Sequence, residues 1–94
     1  MPSKTVETDG NQSLAELQTA VQQQEEIFGP LTALGLQGPN NTMTFDIGPA
    51  PANLTVLETY DGDAPPAKDG HDVVSAGGCL IEGRPANVVA YRPN

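Results

Sequence analysis

The clearest alternation of apolar and polar residues falls at positions 42–47, where Met43, Phe45 and Ile47 interleave with Thr42, Thr44 and Asp46. Successive side chains of an extended strand point to opposite faces, so this pattern predicts a half-buried strand with its apolar set on one side. A second run, Asn53 to Tyr60, puts Leu54, Val56 and Tyr60 on one face, with Glu58 as the exception. Between the two, Gly48-Pro49-Ala50-Pro51 reads as a rigid corner. The two strands are therefore expected to pair and form the nucleus of a sheet.

Upstream the period changes. Leu14, Leu17, Val21 and Phe28 recur at helical spacing, with Ile27 beside the stripe. Ser13-Leu14-Ala15-Glu16 is a capping box, in which hydroxyl and carboxylate satisfy the first free amides, and Gly29-Pro30 stops the helix. An amphipathic helix is predicted over 14–28. The same stripe with Gln24 fits a coiled-coil seam, but it spans only two heptads and has Gln at a core site. A helix lying on the sheet or on a neighbour is preferred. Gln22, Gln23 and Gln24 are assigned to a solvated face.

The rest of the pattern is punctuated by turn formers. Leu31, Leu34 and Leu36 sit in a linker over 31–39, where Gly35, Gly38 and Pro39 allow one short turn at most. Positions 61–71 read as a long exposed loop. A weak strand over 72–76, a Gly77-Gly78 turn, a short strand over 79–82, a Gly83-Arg84-Pro85 turn and a last strand over 87–91 follow. Residues 1–12 carry a single aliphatic side chain, Val6, and are expected to be a flexible arm. The chain thus divides into an arm (1–12), a helix with its linker (13–39) and a small β domain (40–94). The fold class is α+β or mainly β: one amphipathic helix, then a small antiparallel β-sandwich or open barrel of short strands.

Composition adds that the core is thin. Ninety-four residues allow one small domain, and two Phe, two Tyr and no Trp leave few large anchors. A domain this small gains from self-association or from docking onto something larger. The net charge of −8 argues against nucleic acid and anionic membranes, whose binding depends on basic patches. It suits a solvated surface, or one that meets a basic partner. With one cysteine there is no internal disulfide. No leader or membrane span is visible, so a cytoplasmic or virion-associated protein is expected and the sequons at Asn11, Asn40 and Asn53 are read as idle.

Candidate chemistry changes little. Asp61, Asp63 and Asp72 occupy the first, third and twelfth places of a calcium-loop spacing, with Asp69 and His71 nearby. Pro66 stands where that loop needs Gly, Pro65 where it needs a ligand, and Asp closes it in place of Glu. Cys79 with His71 as base would be a conceivable nucleophile pair, but Cys79 sits in an apolar run that argues for burial. Glu25-Glu26 and Asp61/Asp63 lack aromatic residues to build a cleft around them, and Gly77-Gly78 does not open a helix as a phosphate loop does. No catalytic residue, metal, cofactor, nucleic acid, membrane or small-molecule substrate is expected. The expectation is a non-catalytic accessory subunit that docks onto a larger protein assembly such as a capsid shell, as a decoration or cementing protein, and onto copies of itself. Val6, Leu14, Leu17, Val21 and Phe28 are the expected partner-binding residues, and loss of residues 1–12 is expected to weaken assembly without unfolding the sheet. The alternative is an acidic regulatory binder that blocks a basic site on a protein target.

Overall fold

A computed structural model describes residues 3–6, 10–29, 31–37, 42–47 and 54–94, with side chains described for 10–29 and 54–94. The fold is α+β. In chain order the elements are β1 (Ser3–Val6), α1 (Leu14–Phe28), β2 (Leu31–Gln37), β3 (Thr42–Ile47), β4 (Val56–Tyr60), β5 (His71–Ile81) and β6 (Arg84–Pro93). They form two antiparallel three-stranded sheets, ordered β1-β3-β2 and β4-β6-β5. Edge strands β2 and β5 run against each other where the two sheets meet.

The helix follows its local signals. Ser13 caps it with the reciprocal bonds of the capping box, Glu16 N–H to Ser13 Oγ at 3.2 Å and Ser13 N–H to Glu16 Oε1 at 3.0 Å. It ends at Gly29, whose N–H returns to the Glu25 carbonyl at 2.8 Å. Leu17 and Val21 are fully buried and pack with Leu57, Cys79, Val88 and Ala90 on one face of the β4-β6-β5 sheet. Leu14 and Phe28 lean on this cluster half-buried, and Ile27 is exposed.

Five expectations are corrected. First, β3 and β4 do not pair: β3 is the centre of one sheet and β4 an edge of the other. The Gly48–Pro51 corner lies outside the described residues. Second, the buried face of β4 carries Thr55 and Leu57, while Val56 and Tyr60 are half-buried on the opposite side. Leu57 faces α1 because its cross-strand partner Ala90 belongs to the helix-facing row of β6. Third, the supposed linker is strand β2, paired in register with β3 from Gln37↔Thr42 to Leu31↔Ile47 with a bulge between Leu31 and Ala33. Backbone pairing holds it extended despite Gly35, since a glycine weakens a strand without forbidding it.

Fourth, Gly77-Gly78 does not turn the chain. Strand β5 runs unbroken for 11 residues against the 10 of β6, longer than the short strands expected. The real turn is Glu82-Gly83, with Ile81 opposite Arg84, and both turn residues have positive φ (51° and 78°). That is the two-residue hairpin turn whose twist matches its strands, and it sets the register from Ile81↔Arg84 to Ser75↔Ala90, beyond which a bulge between Val73 and Ser75 shifts it. Fifth, the arm is not free along its length. Ser3–Val6 pairs with β3, Val6 opposite Met43, because strand addition needs main-chain groups and no apolar side chains. Further on, the carbonyls of Gly10 and Gln12 accept from Gly83 N–H (2.7 Å) and Glu82 N–H (3.1 Å), so this segment clamps the hairpin tip. Gly10 has φ +81°, and a Cβ there would lie 3.1 Å from Leu80 Cδ1, so a larger residue would strain the backbone and push Leu80 aside.

Candidate functional site

The most specific arrangement of side chains lies where α1 meets the outer edge of β4. An edge strand leaves alternate N–H and C=O groups unpaired, and those of Thr55 and Leu57 point away from β6. Glu25 takes the first of them: Oε1 accepts from Thr55 N–H and Oε2 from Thr55 Oγ1, each at 2.6 Å. The Gln18 amide takes the next two, donating to the Thr55 carbonyl at 2.6 Å and accepting from Leu57 N–H. One side-chain amide thereby imitates the peptide unit of a neighbouring strand. Gln22 adds a second donor to the Thr55 carbonyl at 3.2 Å. Glu25 and Thr55 are 1% and 0% exposed, so the two bonds between them are shielded from water, while those of Gln18 and Gln22 are part-buried.

The cap stops there. Thr59, the next residue of β4 whose main-chain groups face outward, is exposed and no helix side chain reaches it. Beside it lies a cleft of about 780 Å³, lined by Thr59, Tyr60 and Asp61 on one side and by residues 78–81 and 85–87 on the other. It exists because β4 ends at Tyr60, opposite Asn87, while β6 begins three residues earlier at Arg84.

The opposite face of the sheet carries Tyr91, buried and flanked across the strands by Val56 and Val73. The 61–70 loop returns over it. Tyr91 donates its hydroxyl proton to the Pro66 carbonyl, and Lys68 Nζ stands 5.9 Å from the ring centre. Lys68 also pairs with Glu58 at 2.8 Å. The hydrogen bond to that carboxylate, and then its charge, raise the lysine above its ordinary value. His71 meets Tyr91 edge-on at 6.4 Å and its Nδ1 bonds the Asp69 carbonyl at 2.8 Å. The loop is a strap tied to the sheet, with most of its residues exposed.

Neither a family model, a curated protein nor a solved structure matches this chain. The site is therefore read from its own chemistry.

Of the expected partner-binding residues, Leu17 and Val21 are interior to the chain's own core and do not form a docking surface. Leu14 and Phe28 are half-buried against that core, and Val6 lies in β1, its side chain outside the described residues. His71 and Cys79 stand eight positions apart on one extended strand, roughly 26 Å at ~3.3 Å per residue, so they are not brought together. Among the described residues no three His, Cys, Asp or Glu side chains gather as a metal site, and no helix is long and apolar enough to cross a membrane. The sequence reading missed Gln18, Gln22, Glu25, Thr55 and the open end of β4. One signal was available: Glu25 falls four residues after Val21 and eight after Leu17, a carboxylate inside the apolar stripe. Assigning Gln22 to solvent is likewise corrected by its bond to Thr55.

Proposed function

We propose that this chain is a non-catalytic accessory protein that docks onto a larger protein assembly, with a capsid decoration or cementing subunit as its concrete form. The observation that carries the reading is the outer edge of β4, sealed by helix side chains at Thr55 and Leu57 and left open at Thr59 beside a cleft. Natural proteins blunt sheet edges against uncontrolled pairing, so an edge protected for half its length and open for the rest is suited to a chosen partner. The reactive groups support the same reading: the one histidine and the one cysteine are engaged in separate parts of the sheet. On this reading the protein is virion-associated, or cytoplasmic before assembly.

The net charge of −8 favours a second reading, an acidic regulatory binder that covers a basic site on a target. Sedimentation with particles from the same source, followed by mass photometry, separates the two. The accessory role predicts that the chain pellets with particles at fixed stoichiometry and adds a defined mass. A chain that stays in the supernatant, and instead forms a soluble complex with a basic protein that dissolves as salt is raised, would replace it with the second reading.

A further inference from the structure

We infer that the open end of the β4 edge captures an extended peptide segment of another protein, rich in Lys or Arg beside apolar residues, by strand addition. The inference rests on the accessory-protein reading and names what its partner presents.

The main-chain geometry comes first. Because Thr55 and Leu57 direct their N–H groups to the helix, residues 56, 58 and 60 must direct theirs to β6, where they face 91, 89 and 87. Thr59 then presents a donor and an acceptor outward, at the spacing an incoming strand requires. An added strand would continue the line begun by the Gln18 amide, which already stands in for one of its peptide units.

Side-chain specificity comes from the cleft. Leu80 is 39% exposed and, with Pro85 and Tyr60 on the same face of the sheet, offers apolar surface to the guest's side chains. Asp61 stands in the wall and exposed Asp63 follows two residues later, so flanking cations are favoured. Charge also selects against the simplest competitor. A second copy brings its own −8 and the same acidic rim, so like edges repel where a basic segment is drawn in.

The test is an amide-resolved NMR titration of the full chain with an acetylated octapeptide of alternating Lys and Val. Shifts are expected at Thr59, Tyr60, Asp61, Ala86 and Asn87. Affinity is expected to fall about tenfold or more when the peptide amide facing Thr59 is N-methylated, the loss of one main-chain bond. Thr59→Pro should have the same effect, since Pro is tolerated where an edge N–H faces outward. If that variant fails to fold, the N-methylated peptide still decides the matter on the unaltered protein. A Glu-Val octapeptide should not bind. Shifts confined to the 61–70 strap or to α1, or equal binding of the N-methylated peptide, would overturn the inference. So would shifts at Thr59 that grow with protein concentration alone, which would assign the edge to a second copy. Peptide binding by a chain that stays off every candidate particle refutes the accessory role and leaves the site standing, and the converse result refutes the site alone.

Discussion

At the scale of single residues, Glu25 and Thr55 do more than any apolar side chain to fix where α1 sits. Hydrophobic burial is non-directional, and Leu17 and Val21 alone would let the helix slide along the sheet. Two carboxylate bonds of 2.6 Å to one buried threonine allow a single register. Glu25→Ala is therefore expected to cost about 2–3 kcal/mol in urea unfolding, because a buried N–H and hydroxyl lose charge-assisted partners. Glu26→Ala, on the exposed side of the same turn, should stay within about 0.5 kcal/mol. A result that reversed these two would show that the helix is placed by packing alone. The pair was only half legible beforehand. A glutamate in an apolar stripe is visible in a sequence, but the threonine that answers it lies 30 residues away and is chosen by the strand's final position.

At the scale of elements, local signals were reliable and non-local ones were not. The capping box and the Gly29 stop act within one turn of chain, so α1 has the bounds its sequence predicts. Strands are decided by their partners. Gly77-Gly78 looks like a turn, yet continuous pairing with β6 keeps it extended. Glu82-Gly83 does turn, although a glutamate at φ 51° is poorly suited to it. Glu82→Asn, a residue at home in this conformation, should stabilise the hairpin by about 0.5–1 kcal/mol, read as a raised thermal midpoint. An unchanged or lowered midpoint would mean that the docking of this tip onto Gly10 and Gln12, and not turn strain, governs the hairpin.

At the scale of the whole molecule, the segment before the helix belongs to the fold. β1 pairs with the centre of one sheet, and the Gly10 and Gln12 carbonyls hold the hairpin tip of the other. Removing residues 1–12 should therefore destabilise the domain by about 2 kcal/mol or more, counting only those two tip bonds and a few of the β1 ladder. The measure is denaturant unfolding together with amide exchange at Glu82 and Gly83, and full retention of both would restore the picture of an independent arm. This replaces the expectation that such a deletion spares the sheet. By itself the amino-acid order determined the helix, its cap and stop, the exposed character of 61–70 and the acidic surface, since each depends on neighbours within a few residues or on composition alone. Tertiary structure decided which strands pair, that β2 is a strand, which face of β4 is buried and where its edge stays open. Main-chain hydrogen bonds carry no side-chain label, so the partner of a strand is settled only when the whole chain has closed around it.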